Sequence, residues 1–449
     1  MTGWRGADLT SRRADPPVPG SSSYRGLAPV RLAGGSAQRG GYAAGPSLDH
    51  RRHRVRRLLG QLFGPGSPLR DLDWFLLAIV LALLTLGSLL VWAATATSGL
   101  TYHDPYLIHQ GINIAIGLLL MAAVSMLDYR QLRLYAPIVL VASCLGLLAV
   151  LSPLGRVVNG AKSWINLPGG FQIEPSEYAK IAVIFVCAMI LGELRAGQTR
   201  PGPRAIAKAV GLSLIPLVLV VAQPDLGVVI LLMALLAGLI VLSGVRLRWI
   251  ALLAGGGALG VLAVAKLHLL KSYQVNRLTS FLHPSQDPRG TGYSAYQSKI
   301  AIASAGVHGQ GLFHGVLVAG GFIPEQQTDF IFAVAGEDIG FIGCLVIIAL
   351  LALLLLRALH IAARADDQFG MLVAAGIAIW FGVQSFINIG MTIGIMPVTG
   401  LPLPFVSYGG SAIFADMIAI GALHCVHRHR SVFGSGLGPR LRVRPKPLA

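Results

Sequence analysis

Acidic side chains in the stretch FIPEQQTDFIFAVAGEDIG, residues 322–340, are the strongest candidates for chemistry in this sequence. Glu325 and Asp329 stand at the start of a long apolar run, and Glu337 lies within it. A carboxylate at the edge of a hydrocarbon layer is costly and indicates a functional site. Such a group can accept a proton from a substrate hydroxyl. The alternative is that the first acids interact with the dipole of a helix N-terminus and that Glu337 and Asp338 stabilise helix contacts.

The composition places this stretch in a membrane protein. Of the 449 residues, 54% are hydrophobic and 12% are charged, whereas an average soluble domain has about 25% charged residues. Apolar runs of about 20 residues are long enough to cross a bilayer. The runs predict an all-α bundle of about ten transmembrane helices, at 74–95, 106–127, 134–152, 174–193, 207–223, 226–243, 249–270, 329–357, 369–393 and 405–427.

The distribution of Arg and Lys predicts the orientation of these helices. Basic residues are concentrated in residues 1–70, in alternate short loops and after residue 427, and such segments stay on the cytoplasmic side. Residues 1–70 and 429–449 are therefore predicted to be basic cytoplasmic tails, the first of them disordered, around a transmembrane domain at 71–428. The net charge of +17 fits tails that face an acidic lipid surface rather than a nucleic acid.

The same orientation predicts that the long loop 271–328, between the seventh and eighth helices, faces outward. It carries an apolar segment, Ile300–Ala305, that is expected to form a short helix at the membrane interface. Four cations in this loop depart from the positive-inside trend. They are Lys271, Arg277, Arg289 and Lys299. Such residues can bind an anionic group such as a phosphate, or they can reach the outer-leaflet headgroups.

Two further segments carry polar residues near or within apolar runs. Glu177 and Lys180 lie three positions apart, so they share one helix face, either as a functional pair or as a structural ion pair. Trp164 follows Lys162 in a predicted outward loop. The segment 394–412 contains several prolines and glycines before Ser407 and Tyr408, which indicates irregular backbone that lines a cavity or forms a packed re-entrant turn.

Six motifs in this order resemble the SEDS (shape, elongation, division and sporulation) family of RodA and FtsW type proteins. They are NGAKSWI, EPSEYAKIA, AQPDLG, YQSKIAI, PEQQTDFIFAV and PLPFVSYGGSA, and the resemblance covers about residues 72–428. The segments YQVNRL and YQSKIAI are more similar to the RodA, or elongation, branch. PVTGLPLPFVSYGG also fits the FtsW, or division, branch.

The resemblance implies a ten-helix peptidoglycan glycosyltransferase that uses lipid II and works with a class B penicillin-binding protein. Asp329 stands at the family's essential aspartate and would act as the general base. A divalent cation (Mg or Mn) could assist, although the sequence shows no metal-ligand cluster. The resemblance and the loop pattern together predict substrate contacts from eight residues: Trp164, Glu177, Lys180, Arg277, Gln297, Lys299, Glu325 and Ser407.

The sequence departs from the family pattern at three places. Gln327 stands where a His is common, Ser163 where an Arg often precedes the loop tryptophan, and 315–325 is more apolar than usual. Two other functions remain open, a lipid II flippase and a non-catalytic scaffold for a penicillin-binding protein. A flippase needs polar groups through the full depth of the bundle, whereas here they concentrate toward the predicted outer side.

Overall fold

The computed structural model describes residues 72–96, 105–127, 129–158, 161–166, 172–193, 200–266, 275, 281 and 292–434. The predicted N-terminal tail, 1–70, lies outside the described residues. The helices in the described part are α1 Trp74–Thr95, α2 Pro105–Met126, α3 Tyr129–Leu151, α4 Pro175–Leu191, α5 Pro203–Ala222, α6 Leu226–Leu242, α7 Leu247–Lys266, α8 Tyr293–Ser304, α9 Val316–Ala319, α10 Ile331–Asp338, α11 Gly340–Ala363, α12 Gln368–Ile393 and α13 Gly410–Gly434.

Seven helices in the described residues are long and apolar enough to cross a membrane: α1, α2, α3, α5, α11, α12 and α13. The remaining predicted spans coincide with α4, α6 and α7. Helices α4 and α6 have only 17 residues each, and α4 contains Glu177 and Lys180. The prediction of a polytopic helical membrane protein is confirmed, whereas the count of ten spans stays a prediction.

The eighth predicted helix, 329–357, is divided into α10 and α11 at Gly340, which has a φ of 76°. The division is caused by the preceding loop, whose backbone pairs with that of the helix ends. Gln310 and Gly311 donate their N–H groups to the carbonyls of Glu337 and Asp338. A helix cannot continue through a residue whose φ is positive, so these long-range hydrogen bonds override the local apolar pattern.

The loop 153–173, which is predicted to face outward, contains an antiparallel sheet that the all-α prediction did not include. Its strands are β1 Gly155–Val158, β2 Ala161–Asn166 and β3 Gln172–Ile173, in the order β1-β2-β3. Val158 pairs with Ala161 across β1 and β2. The sequence between them is Asn-Gly, which strongly favours a two-residue hairpin connection, and this signal was available in the sequence.

Helix α12 lies at the centre of the bundle and packs against α4, α6 and α11. Most of its residues are buried, including the large side chains of Phe369, Trp380 and Phe381. Asp367 caps its N-terminus by accepting a hydrogen bond from Gly370 N–H. Helix α13 packs against α2 and continues to Gly434, past the predicted boundary at 428.

The segment expected to form a short helix at Ile300–Ala305 belongs to α8, which is longer and begins at Tyr293. It packs between α10 and α12 rather than lying only at an interface. Ala301 and Ser298 are fully buried, and Ser298 Oγ–H donates to the Thr392 carbonyl at 2.9 Å. At least one helix of the loop 271–328 therefore packs against the bundle.

Candidate active site

Asp329 lies in the turn that precedes α10 and is half-buried. Its N–H donates to the Glu325 carbonyl at 3.0 Å. A side chain at Gly400, where φ is 78°, would begin 3.6 Å from Asp329 Oδ2. The absence of a side chain at position 400 leaves space beside this carboxylate, which suits a group that must reach a substrate.

The turn that carries Asp329 differs from the predicted helix start. The eighth helix was predicted to begin at 329, with Glu325 and Asp329 at its N-terminus, but α10 begins only at Ile331. Glu325 has a φ of 52°, in the left-handed region, and its carbonyl accepts hydrogen bonds from the N–H groups of Thr328, Asp329 and Phe330. A non-glycine residue in this region is strained by about 1–2 kcal/mol, and such strain is concentrated at functional sites.

Ser407 and Tyr408 hold this turn from the loop between α12 and α13. Ser407 Oγ–H donates to the Thr328 carbonyl at 2.6 Å and accepts from Leu403 N–H at 2.7 Å. Tyr408 N–H donates to the Gln327 carbonyl at 2.9 Å. Ser407 is buried, so the contacts in the structure make it a support for the Asp329 turn, while its predicted contact with substrate stays untested.

Lys299 lies on α8 and contacts the end of α12. Its ammonium group packs against Gly394, the left-handed residue that ends α12. The loop that follows Gly394 leads to Gly400 and then to Ser407. Lys299, one of the cations predicted to contact the substrate, therefore lies next to the loop that supports Asp329. Arg277, another of these cations, lies outside the described residues. Gln297, two residues before Lys299, is half-buried.

Replacing Gly394 with Ala is expected to weaken the protein and displace Lys299. A Cβ at this position would overlap the Lys299 ammonium, and a φ of 81° is unfavourable for alanine. The left-handed conformation alone would lower the free energy of unfolding by about 1–2 kcal/mol. Thermal unfolding of the purified protein in detergent measures this loss.

Gly382→Ala is the matched control for that change, since Gly382 lies inside the same helix. A Cβ there would meet only Leu355 at 3.6 Å, an ordinary contact. Ala in a helix interior is favoured over Gly by about 1 kcal/mol, so this variant should be unchanged or more stable. Equal stabilities for the two variants would contradict the assigned role of Gly394.

Glu177 and Lys180 form an ion pair inside the bundle, with side chains 1% and 0% exposed. Lys180 Nζ also donates to Gln384 Oε1 at 3.0 Å and lies 4.6 Å from the centre of the Trp380 ring. Gln384 in turn donates to the Pro402 carbonyl at 2.7 Å. The pair is therefore connected to the loop 394–409 through Gln384, and its burial favours the structural ion pair over direct contact with substrate.

Trp164 is half-buried on β2. The sheet is joined to the start of α13 through Ser411, whose Oγ–H donates to the Gln172 carbonyl at 3.1 Å and accepts from Glu174 N–H at 2.9 Å. The sheet thus contacts the element that follows Ser407 and Tyr408. These contacts do not assign Trp164 a ligand, so its role stays a prediction.

Glu337 and Asp338 hold the loop that precedes the Asp329 turn. The Glu337 carboxylate accepts from the N–H groups of Leu317 and Val318 at 2.8 and 2.9 Å. Asp338 Oδ2 accepts from Phe313 N–H at 3.4 Å. These contacts agree with the alternative interpretation, in which Glu337 and Asp338 have structural roles.

Within the described residues, no group of three or more His, Cys, Asp or Glu side chains is arranged to hold a metal ion. Participation of a divalent cation stays a prediction.

Two buried amides on α12, Gln384 and Asn388, were not predicted from the sequence. They lie one helical turn apart, and both are fully buried. An amide within an apolar helix is costly unless it is hydrogen-bonded, and this was the signal that could have identified them. A third missed residue, Gln326, donates to the carbonyls of Ala94 and Val318 and so ties the Asp329 turn to the end of α1.

Comparison with known proteins identifies the family. The profile of the cell cycle protein family of FtsW, RodA and SpoVE matches residues 73–432. Peptidoglycan glycosyltransferase MrdB of Escherichia coli is 38% identical over 82% of this chain and 96% of its own length. Stage V sporulation protein E of Bacillus subtilis is 36% identical over 80% and 97%.

Solved structures agree with the sequence comparisons. Rod shape determining protein RodA of Thermus thermophilus superposes with a TM-score of 0.58 at 29% identity, covering 80% of this chain and 97% of its own. A chain from a peptidoglycan synthase complex, studied for its coordination of polymerization and crosslinking, gives a TM-score of 0.67 at 32% identity, covering 80% and 98%. The chain belongs to the SEDS family of FtsW, RodA and SpoVE proteins.

Proposed function

We propose that this chain is a peptidoglycan glycosyltransferase that polymerises lipid II into glycan strands. Lipid II is a disaccharide-pentapeptide carried on undecaprenyl pyrophosphate. The proposal is supported by the relatives named peptidoglycan glycosyltransferase. The observation that carries it is Asp329, a half-buried carboxylate in a strained, tightly hydrogen-bonded turn beside a glycine.

In the proposed reaction Asp329 acts as the general base. Its carboxylate takes the proton from the 4-hydroxyl of the acceptor sugar, whose oxygen attacks the anomeric carbon of the donor. A new glycosidic C–O bond forms with inversion, and the bond to the pyrophosphate breaks. Undecaprenyl pyrophosphate leaves with the electron pair, so cations such as Lys299 and Arg277 would stabilise the developing negative charge.

The proposed location is the outer face of the cytoplasmic membrane, with both termini in the cytoplasm. Arg and Lys in alternate short loops support this orientation. Asp329 and the loop 271–328 would then face outward, where lipid II is used. Membrane lipids surround the bundle in this arrangement.

The proposed partner is a class B penicillin-binding protein that cross-links the strands. The structural relative from a complex that coordinates polymerization and crosslinking supports this assignment.

We place the chain in the RodA branch because of its segments YQVNRL and YQSKIAI. Depletion in the source cells should then give rounded cells, whereas filaments without septa would assign it to the division branch.

Incubation of the purified protein with labelled lipid II tests the activity, because a glycosyltransferase yields glycan polymer. A flippase would instead move lipid II across liposomes and form no polymer. A scaffold whose partner only cross-links strands would form no polymer with or without that partner, so the reaction is run with and without the penicillin-binding protein. The absence of polymer in both reactions would overturn the proposed function.

A further inference from the structure

Three successive carbonyls, those of Gln327, Thr328 and Asp329, each accept a hydrogen bond from a later part of the chain. Tyr408 N–H donates to the first at 2.9 Å, and Ser407 Oγ–H donates to the second at 2.6 Å. Asn388 Nδ2–H donates to the third at 2.9 Å. All three donors belong to the end of α12 or to the loop that follows it, so this region fixes the backbone of the Asp329 turn.

Asn388 has a different position from the other two donors, because it lies on the rigid α12 rather than in the loop. Its Nδ2 also donates to the Leu401 carbonyl at 2.7 Å. One buried amide thus joins the Asp329 turn to the backbone next to Gly400. The Asp329 N–H is held by the Glu325 carbonyl, so both backbone polar groups of Asp329 are fixed.

We propose that Asn388 is a positioning residue for the catalytic carboxylate of Asp329. Asn388 is fully buried, so it acts through the backbone of Asp329 and does not touch the substrate. By fixing Asp329 and Leu401 together, it sets the distance between the carboxylate and the open space at Gly400. The kinetic test of this proposal rests on the proposed function. The structural claim, that Asn388 fixes the backbone of Asp329, does not.

The alternative is that Asn388 only stabilises the bundle. A displacement of about 1 Å in a reacting group can lower the rate about 100-fold, whereas a loss of stability alone changes the amount of folded protein. A structural role predicts a proportionate loss of folded protein and activity, with unchanged kcat per folded molecule. A positioning role predicts a lower kcat and a nearly unchanged KM.

Asn388→Ala and Asn388→Asp remove the two donated hydrogen bonds in different ways. Alanine leaves both carbonyls without this partner, and an ionised aspartate would place negative charge against them. Ser407→Ala removes the hydrogen bond to the neighbouring Thr328 carbonyl together with the one from Leu403 N–H. Ser385→Ala is the matched control, because Ser385 is buried on the same helix and its hydroxyl has no hydrogen-bond partner among the described residues.

The experiment measures kcat and KM for labelled lipid II on folded, monodisperse full-length protein. Both Asn388 variants are expected to lower kcat by about 10–100-fold with KM within about threefold of wild type. Ser385→Ala should stay within about twofold of wild type. Asn388 variants whose kcat per folded molecule remains within about threefold of wild type would overturn the proposal.

Hydrogen–deuterium exchange in the peptide that covers residues 323–331 gives a second measurement that does not depend on activity. Asn388→Ala should raise exchange there relative to Ser385→Ala, because the turn loses one of the three long-range hydrogen bonds that its backbone carbonyls accept. Unchanged exchange would overturn the proposal even in an active protein. If the wild type forms no polymer but Asn388→Ala still raises exchange, the proposed function is rejected and the positioning of the Asp329 turn by Asn388 stands.

Discussion

Replacement of Asp329 with Asn is expected to abolish polymerisation of lipid II, with a loss of at least about 10²–10⁴-fold in rate. The amide has nearly the shape of the carboxylate but cannot accept the proton of the acceptor hydroxyl. The backbone hydrogen bonds that hold the turn come from Asn388, Ser407 and Tyr408 and do not involve the Asp329 side chain. The variant should therefore fold normally, and its melting temperature in detergent checks this.

Glu325→Gln is the matched comparison, since Glu325 is the other carboxylate of the same turn. It is exposed, and its Oε2 accepts a hydrogen bond from Thr328 Oγ1 at 3.4 Å. We expect this variant to lose less than about tenfold in rate, because Glu325 is predicted to contact the substrate rather than to take its proton. Glycan synthesis by the Asp329→Asn variant at a rate near wild type, or equal losses in the two variants, would reject Asp329 as the base.

The helical bundle could be predicted from the sequence because a transmembrane helix depends on local properties, namely length and apolar composition. Its interruptions could not. The start of α10 at Ile331 depends on the conformation of Glu325, which is held by a turn that the loop 394–409 supports. The break at Gly340 likewise depends on pairing with Gln310 and Gly311.

Asp329 could be singled out in the sequence because a carboxylate at the edge of an apolar run is costly and indicates a functional site, while its role as the base comes from the family resemblance and stays a prediction. The environments of Ser407 and Lys180 could not be predicted in the same way. Ser407 binds a carbonyl 79 positions earlier in the chain, and Lys180 binds an amide 204 positions later. A polar residue that supports a site and one that touches a ligand look alike in a sequence until these partners are known.

The buried ion pair leads to the second large effect. Lys180 is enclosed by Glu177, Gln384 and the Trp380 ring. All three charged or amide side chains in this cluster are buried. Removal of one partner from a buried pair leaves an uncompensated charge, which usually destabilises a protein by about 3–5 kcal/mol.

Lys180→Met is therefore expected to lower the free energy of unfolding by about 3–5 kcal/mol, measured as a large fall in the melting temperature in detergent. Lys180→Met with Glu177→Gln should recover much of this loss, because both charges are then absent. The double variant separates two roles of Lys180. If the ion pair is structural, the double change restores stability and most of the polymerisation activity. If Lys180 binds pyrophosphate, the double change does not restore polymerisation. We expect restoration, because Lys180 is fully buried and is linked to the loop 394–409 through Gln384. A stable double variant that binds lipid II far more weakly than wild type would instead place Lys180 in the substrate site.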